Sequence, residues 1–262
     1  MFFFFSVKGP QIGSYKIKAP PLFQQPSLHL LLLLLPPLLT SSCPPPPPPP
    51  LHVDCKEIHD ADVSLPSGVY TIYPTASGVF CEMKDFDGGW TVFQRRMDGS
   101  VNFYRPWDLY KEGFGNAEGE YWLGLEHLFN LTNGKDYQLV VDMEDFEGNR
   151  SHAYYSVFSV DSESDGYRLN VSGFVGKEKD SLKRHNGQKF STFDRDQDNS
   201  EESCARKFMG AFWYNNCLHA NPNGLYLWGS HDTLFAGGME WYHWKGFNYS
   251  LKGIRMMIRP KQ

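Results

Sequence analysis

An acidic segment in the C-terminal third of the chain holds the residues whose types and spacing most clearly suggest chemistry. The segment FDRDQDNSEESC spans residues 193–204 and places Asp194, Asp196 and Asp198 at alternate positions, ahead of two glutamates and a cysteine. Carboxylates this close repel one another unless water screens them or a cation binds them. The spacing therefore leaves two interpretations open, a calcium-binding loop and a solvated acidic turn.

The segment does not fit the EF-hand calcium motif. With Asp194 at the first position of that motif, the sixth position, normally glycine, is Asn199, and the twelfth, normally glutamate, is Ala205. An irregular calcium loop remains compatible with the sequence. Two carboxylates two residues apart, joined by backbone carbonyls, supply oxygen ligands of the kind that calcium binds, roughly six to eight at a time.

No motif of a common enzyme class occurs in the chain. The patterns G-x-S-x-G, H-E-x-x-H and C-x-x-C are absent from the sequence. His219, His231 and His243 recur every 12 residues, a spacing that matches no helical or hairpin ligand pattern. The acids of segment 142–145 are predicted to form the polar edge of a hairpin. We therefore expect a binding or structural protein and no enzyme.

Aromatic residues are concentrated around the acidic segment. They occur with glycines and amides in FMGAFWYNNC (208–217) and LFAGGMEWYHWKGFNYS (234–250). Aromatic walls beside small residues and backbone donors suit sugars and small apolar groups. We expect most of these rings to lie in the core that supports the loops, and two or three to line a pocket.

Short apolar and aromatic runs, separated by glycine and acid clusters, predict strands that would position this region. The segment around EGNR (147–150) predicts a hairpin. The predicted strands are GVYTIYP (68–74), GVFCEM (78–83), GWTVFQRR (89–96), YQLVVDME (137–144), HAYYSVFSV (152–160), YRLNVSGF (167–174) and GIRMMIRP (253–260).

Helices are predicted in two places. YWLGLEHLFNLT (121–132) carries Trp122, Leu125, Leu128 and Phe129 at helical spacing, and DSLKRHNG (180–187) predicts a helical turn. From residue 185 to 250 the regular pattern fades, and loop regions this long are usually functional. The sequence therefore predicts an α+β domain whose functional end is built from loops.

The first 53 residues differ from the rest in composition. They contain three lysines and no acid, and LHLLLLLLPPLL (28–39) is too short and too interrupted by proline for a membrane span, which needs about 20 residues. We predict a signal peptide over residues 1–42, a Cys/Pro-rich stalk over 43–53 that includes seven prolines, and a domain over 54–262. The protein is expected to be secreted, with no membrane span.

The chain without its first 53 residues is acidic. It has 22 Lys and Arg residues (25 less the three) against 30 Asp and Glu residues, a balance of −8. No basic block interleaves with aromatic residues. Nucleic-acid binding is therefore not expected.

Five cysteines are expected to pair in an oxidising compartment. They are Cys43, Cys55, Cys81, Cys204 and Cys217. The last four allow three connectivities, of which the short loops favour Cys55–Cys81 and Cys204–Cys217. Cys43 then either bridges two chains, giving a disulfide-linked homo-oligomer, or leaves with the signal peptide.

Secretion also makes four N-glycosylation sequons meaningful. Their acceptors are Asn130, Asn149, Asn170 and Asn248, in NLT, NRS, NVS and NYS. The aromatic neighbours of Asn248 predict that this residue is partly buried.

Several motifs together resemble the fibrinogen C-terminal domain family over about residues 54–260. This resemblance implies an α+β fold with a central, twisted, mainly antiparallel sheet, short helices, and a calcium and ligand end built from loops. Within the family the chain is most similar to the microfibril-associated branch, and next to the ficolins and tachylectins. The motifs are GGWTVFQRRMDGSVNFYRPWDLYKEGFG (88–115), GEYWLGLEHL (119–128), GQKFSTFDRDQD (187–198), FWYNNCLHANPNG (212–224) and KGFNYSLKGIRMMIRP (245–260).

The resemblance implies a Ca²⁺ site just ahead of Cys204. The matching ligands are the carboxylates of Asp196 and Asp198 and the backbone carbonyls of Ser200 and Glu202. Asp194 then lies outside the ligand set, as a turn or supporting residue.

The resemblance also implies an acetyl-binding site beside the second disulfide. In acetyl-binding relatives the peptide bond before the second cysteine, here Asn216–Cys217, is cis, and the N–H groups matching Cys217 and Leu218 face an acetyl carbonyl. Relatives often have histidine where Leu218 stands, with His219 following here, and tyrosine in place of Phe208, so this pocket is more apolar. The matching hollow is lined by Phe208, Leu218, Phe235 and Ala236, with Trp241 nearby.

Two functions follow as hypotheses from this resemblance. The first is a secreted, calcium-dependent recognition protein for acetylated carbohydrate or other acetyl groups, in extracellular matrix or innate defence. The second is a structural protein of microfibrils and elastic fibres, with a role in cell adhesion, in which calcium only stabilises the fold. Its partners would be matrix glycoproteins, elastic-fibre components or collagen.

Overall fold

The structure, a computed structural model, describes residues 51–73 and 78–261 of the chain. The predicted signal peptide (1–42), Cys43 and the proline run 44–50 of the predicted stalk lie outside the described residues. Within the described ranges, every helix is too short or too polar to cross a lipid bilayer.

An antiparallel sheet of nine strands forms the centre of the domain. Its main path runs β1-β2-β3-β11-β6-β7-β8, with β5 paired to β3 and β4 paired to β5. Strands β9 and β10 form a separate pair near the C-terminus. The strands are β1 (Gly68–Thr71), β2 (Gly78–Glu82), β3 (Trp90–Arg96), β4 (Phe114–Gly115), β5 (Tyr121–Trp122), β6 (Tyr137–Glu144), β7 (Arg150–Val160), β8 (Leu169–Gly176), β9 (Gly229–Ser230), β10 (Tyr249–Ser250) and β11 (Gly253–Pro260).

All seven predicted strands are present, and the fold is the predicted α+β arrangement. Aromatic and β-branched runs form these strands because such side chains pack well on a pleated surface. Strand β7 shows the expected alternation, with Ala153 and Tyr155 buried next to more exposed neighbours. Strand β11 lies between β3 and β6, where Met257 pairs with both Val92 and Val140.

Five short helices accompany the sheet: α1 (Cys55–Ala61), α2 (Trp107–Glu112), α3 (Leu125–Thr132), α4 (Cys204–Lys207) and α5 (Tyr242–Lys245). The predicted helix over 121–132 is confirmed only from Leu125 onward. The placement of Trp122 on that helix is wrong, because Trp122 pairs with Gln94 between β5 and β3. Gly124, with a φ of 112°, separates β5 from α3.

The predicted helical turn at 180–187 is a single hydrogen-bonded turn. The N–H of Asn186 donates to the carbonyl of Leu182 at 3.1 Å, and no helix continues from it. Because this turn contains His185, its position matters for the site described below.

Both predicted disulfides are present. Cys55–Cys81 joins α1 to β2 with a Cα–Cα distance of 5.5 Å. Cys204–Cys217 joins α4 to the loop that follows it, with a Cα–Cα distance of 5.6 Å. The second disulfide encloses the candidate site.

Buried aromatic rings anchor the loop region on the sheet. Residues 177–252, which the structure describes throughout, form only α4, β9, α5 and β10 as regular elements. Trp213 packs against Trp122 and Phe190, at centroid distances of 6.3 and 5.1 Å. Its indole N–H donates to the carbonyl of Tyr167 at 2.7 Å. The loops are therefore held by core packing where regular structure ends.

Candidate functional site

Asp196 and Asp198 lie in one tight loop before α4. The carboxylate of Asp198 accepts hydrogen bonds from the N–H of Ser200 at 2.9 Å and the N–H of Cys204 at 2.8 Å. The N–H of Asp198 donates to the carboxylate of Asp196 at 3.3 Å. Asp198 thus connects the acidic loop directly to the first cysteine of the second disulfide.

The electrostatics of this loop favour a cation. Burial and the negative charge of Asp196 together raise the pKa of Asp198 to about 6. Hydrogen bonds from the N–H groups of Ser200 and Cys204 lower this pKa, but burial and the Asp196 charge outweigh them. A divalent cation between the two carboxylates would remove the repulsion.

The backbone carbonyls of Ser200 and Glu202 are available as further ligands. Within the described residues neither carbonyl accepts a hydrogen bond. The Glu202 carboxylate pairs with Lys207 at 2.8 Å, so the Glu202 side chain is engaged away from such a cation. Two carboxylates and two carbonyls are hard oxygen donors, which fit Ca²⁺.

Other side chains do not extend this ligand set. Within residues 51–73 and 78–261, no group of three or more His, Cys, Asp or Glu side chains is arranged to hold a metal ion. An open cavity of about 590 Å³ lies beside the loop, lined in part by Asp196 and Lys207. Bound water from this side would have to complete a calcium shell.

Asp194 has a separate, structural role. Its carboxylate accepts hydrogen bonds from the N–H of Trp107 at 3.0 Å and from the hydroxyl of Thr192 at 2.7 Å. Trp107 is the first residue of α2, whose own N-cap, Pro106, provides no side-chain hydrogen bond. Asp194 therefore caps α2 from a distant part of the chain.

Asn199 connects the acidic loop to the segment before the second cysteine. Its N–H donates to the carbonyl of Asn215 at 3.1 Å, and its side-chain amide donates to the Asn215 side chain at 3.1 Å. The peptide bond between Asn216 and Cys217 is cis. The guanidinium of Arg184 donates to the Asn216 carbonyl. Sequence reasoning did not assign roles to Asn199, Asn215 or Arg184.

Two backbone donors, one within the cis peptide and one in the next peptide, are free. In the described part of the chain, the N–H groups of Cys217 and Leu218 have no hydrogen-bond acceptor. Unpaired backbone N–H groups are rare where the backbone is shielded from water, and Leu218 is only 6% exposed. The arrangement can donate to a carbonyl oxygen of a ligand.

A buried histidine holds the chain directly after these donors. The Nε2 atom of His185 accepts hydrogen bonds from the N–H groups of His219 and Ala220, both at 3.1 Å. Its Nδ1 donates to the carbonyl of Trp213 at 2.7 Å. This pattern requires the neutral ring, and burial lowers the pKa of His185 to about 3.

Four of the five predicted hollow residues lie in the buried core of the domain. Phe208, Leu218, Ala236 and Trp241 are all buried, whereas Phe235 is 60% exposed. Of these five residues, only Phe235 is largely exposed to solvent.

Asn221, a buried residue, joins the backbone segments that carry two of the predicted hollow residues. Its side-chain amide donates to the carbonyls of Phe208 at 3.0 Å and Ala236 at 3.2 Å. Its side-chain oxygen accepts the hydroxyl of Tyr214 at 2.5 Å. Sequence reasoning missed Asn221. The available signal was a polar residue, in NPNG, directly after an aromatic run.

Four aromatic side chains form a surface that we call the aromatic rim: His219, Phe235, Tyr242 and Phe247. Tyr242 stacks on His219 at 5.0 Å and on Phe247 at 4.2 Å, and Phe235 contacts Phe247 at 5.1 Å between centroids. Most other rings of 208–217 and 234–250 are buried or half-buried, as predicted.

A buried ion pair positions the helix that carries Tyr242. Lys245 at the end of α5 donates to Asp145 at 2.8 Å, and Asp145 is 1% exposed. Burial raises the pKa of Asp145, but hydrogen bonds from Lys245 and Asn149 outweigh it and hold that pKa below its usual range. Sequence reasoning had placed Asp145 on a polar edge and missed this contact.

All four sequon asparagines, Asn130, Asn149, Asn170 and Asn248, are exposed. The expectation that Asn248 is partly buried is wrong. Asn248 lies in a bend just before β10 and faces solvent, whereas its neighbour Tyr249 is only 9% exposed.

Comparisons with known proteins agree with this architecture. The family described as "Fibrinogen beta and gamma chains, C-terminal globular domain" matches residues 51–261. The chain belongs to the fibrinogen C-terminal domain family. The solved fibrinogen-like globe domain of human ANGPTL6 is similar, with a TM-score of 0.78 and 43% identity over 81% of this chain and 98% of that one.

Curated relatives of this fibrinogen C-terminal domain include two kinds of protein. Microfibril-associated glycoprotein 4 of Bos taurus is 52% identical over 219 residues, 80% of this chain and 85% of that protein. Fibrinogen C domain-containing protein 1 of Homo sapiens is 50% identical over 202 residues, 74% of this chain. The chain covers only 44% of the latter protein, less than half of its length.

A fibrin structure also resembles this domain. The lamprey fibrin D-dimer, solved with the peptide ligand Gly-His-Arg-Pro-amide, has a TM-score of 0.74 and 35% identity, covering 80% of this chain and 74% of that one. The resemblance to the family and to its microfibril-associated members, predicted from sequence motifs, is therefore confirmed.

Proposed function

We propose that this protein is a secreted, calcium-dependent recognition protein for acetylated glycans or related acetyl groups. The observation that carries the proposal is the pair of free N–H groups at Cys217 and Leu218. Two donors would bind the acetyl carbonyl, and the hollow lined by Phe208, Leu218 and Ala236 would take the methyl group. The family assignment supports a binding role over catalysis.

Calcium would act on this site through the backbone. Bound by Asp196 and Asp198 and by two carbonyls, it would fix the loop that includes Asn199. Asn199 donates to Asn215, next to the cis peptide. Fixing the acidic loop would therefore also fix the segment that carries the free donors. Loss of calcium would therefore weaken ligand binding without any contact between calcium and ligand.

Single-site binding is expected to be weak. Burying one methyl group contributes only about 0.8 kcal/mol. Leu218 and Phe208 add no polar side-chain contact to a sugar. Useful affinity would need several domains on one oligomer, which a Cys43 bridge between chains would supply.

A second function is supported by a different observation. The match to microfibril-associated glycoprotein 4 extends over 85% of the bovine protein, so the similarity is not confined to one binding site. In this alternative the protein binds elastic-fibre or collagen components of the extracellular matrix through its surface. Calcium would then stabilise the fold only.

Retention on acetylated resin tests the two functions. The secreted protein is applied to acetylated and unacetylated resin, each with calcium and with chelator. Retention on acetylated resin alone, lost with chelator, is the expected result. Equal behaviour on both resins would remove the acetyl-recognition function and leave the matrix role, which predicts matrix binding unaffected by free N-acetyl sugars.

A further inference from the structure

The sequon at Asn248 lies at the edge of the aromatic rim. Phe247, a rim residue, directly precedes Asn248. The Phe247 carbonyl accepts the N–H of Ala236 at 3.1 Å, and the Asn248 carbonyl accepts the N–H of His231 at 2.9 Å. The backbone on which Asn248 lies is therefore tied to both ends of the 231–236 loop, which carries Phe235.

The Asn248 side chain is available for modification. It is exposed, and its amide has no hydrogen-bond partner among the described residues. The amides of two other sequon residues are engaged, since Asn149 donates to Asp145 at 2.9 Å and Asn170 to Ser159 at 3.4 Å. Asn248 thus presents its amide nitrogen to solvent without breaking a contact of the fold.

The attachment point is held in place by strand β10. Tyr249 pairs with Ser230, and its hydroxyl contacts the N–H of Phe146 at 2.9 Å and the carboxylate of Glu147 at 2.6 Å. The Ser250 hydroxyl accepts from the N–H of Met239 at 3.1 Å. A group on Asn248 therefore cannot move away from the rim together with its backbone.

We propose that Asn248 carries an N-linked glycan that screens the aromatic rim and admits small acetylated ligands in preference to bulky ones. An N-linked glycan is bulky and hydrated, and here its first sugar would be attached one residue from Phe247. A monosaccharide could pass beside it to the donors at Cys217 and Leu218. A polymer surface would collide with it.

The proposal has two parts: a ligand arm, which concerns the size of the acetylated ligand, and a shielding arm, which concerns access to the aromatic rim. Only the ligand arm rests on the proposed acetyl-recognition function. The shielding arm concerns access of any large molecule to Phe235 and Tyr242, which are 60% and 39% exposed without a glycan. These two arms are measured separately, so failure of acetyl binding and failure of shielding give different results.

The test uses the full secreted chain as wild type, as Asn248→Gln and as Asn130→Gln. Asn130 is an exposed residue of α3, so the second variant removes a sequon outside the rim. Glycopeptide mass spectrometry first shows whether Asn248 is modified. An unmodified Asn248 in the secreted wild type overturns the proposal.

The shielding arm measures the rate at which chymotrypsin cleaves after Phe235 and Tyr242. Asn248→Gln should raise this rate severalfold, whereas Asn130→Gln should leave it at the wild-type value. Enzymatic removal of glycans from the wild type should reproduce the increase. Equal cleavage rates in wild type and Asn248→Gln overturn the proposal, whether or not any variant binds acetyl groups.

The ligand arm compares free N-acetylglucosamine with N-acetylglucosamine coupled to a polymer. Asn248→Gln should bind the polymer about tenfold more tightly, which corresponds to about 1.4 kcal/mol, and should bind the free sugar as the wild type does. An equal gain for both ligands contradicts a size filter. If no variant binds either ligand, the acetyl-recognition function fails, and the cleavage rates alone decide the shielding.

Discussion

The Nε2 atom of His185 lies 3.1 Å from the backbone nitrogen of His219 and accepts its hydrogen bond. The ring can do so only while it is neutral, because a protonated imidazole has no acceptor. A histidine 34 residues upstream thus fixes the chain next to the free donors of the candidate site. The stability of this site therefore depends on the protonation state of His185.

Acidification should destabilise the protein through His185. The unfolded chain binds a proton there near the ordinary pKa of 6.5, whereas the folded protein does not until about pH 3. The stabilisation is therefore full above pH 6.5 and is lost as pH falls toward 3, at up to about 1.4 kcal/mol per pH unit. The neighbouring Arg184 and His219 charges act in the same direction as burial.

Urea unfolding of wild type and His185→Asn between pH 7 and 4 measures this effect. The asparagine variant should be less stable at pH 7, and its free energy of unfolding should depend less on pH over that interval. A pH dependence identical to that of the wild type would mean that another group controls acid unfolding.

Asp196→Asn should abolish calcium binding. Asparagine keeps the size of the side chain but removes one of two charges that would bind the cation. Asp194→Asn is the matched control, because Asp194 is two residues away and caps α2 instead. It should change stability little, because asparagine caps a helix about as well as aspartate, and it should leave calcium affinity unchanged.

Isothermal titration with calcium distinguishes these two variants. The assignment of Asp196 fails if its variant binds calcium as the wild type does. If Asp194→Asn loses calcium binding while Asp196→Asn keeps it, Asp194 would be the calcium ligand in place of Asp196.

Lys245→Met should destabilise the domain by about 3 kcal/mol, because it leaves the buried Asp145 carboxylate without its cation. The methionine retains most of the aliphatic contact. Lys252→Met removes a similar pair with Glu144, but both side chains there are largely solvent-accessible. That change should cost less than about 1 kcal/mol.

Chemical denaturation of both lysine variants at pH 7 provides the measurement. Similar losses would show that burial of Asp145 does not distinguish the two pairs. A broadened or shifted NMR signal of the Tyr242 ring in the Lys245 variant would further link this ion pair to the aromatic rim.

Cys43→Ser should convert covalent oligomers to smaller species on a non-reducing gel. The other four cysteines form the two intrachain disulfides, so Cys43 is left without an intrachain partner among them. An unchanged gel pattern would show that the secreted chain lacks Cys43 or carries it unpaired.

The long strands were predictable because alternation and β-branched or aromatic content are local properties of the sequence. Strand β5 was not, because two residues form it only by pairing with Gln94, and Trp122 happened to match a helical spacing. The acidic loop was recognisable from its charges alone. Asp194 could be separated from it only by comparison with family motifs, and its contact with Trp107 spans 87 positions.

The supporting residues of the site escaped sequence reasoning for the same reason. His185 contacts Trp213 and His219, and Asn221 contacts Phe208 and Ala236, all through backbone atoms of distant segments. Backbone groups have no sequence signature, so a side chain that binds them looks like an ordinary polar residue. Only the three-dimensional arrangement assigns these roles.

Strand β11 occupies the middle of the sheet although it is the last strand of the domain. A nascent chain emerging from the ribosome therefore carries β3 and β6 with their facing edges unpaired until residue 260 has been synthesised. Any premature stop codon before residue 253 would divide the sheet into two halves. The sheet can therefore be completed only after the whole domain has been translated.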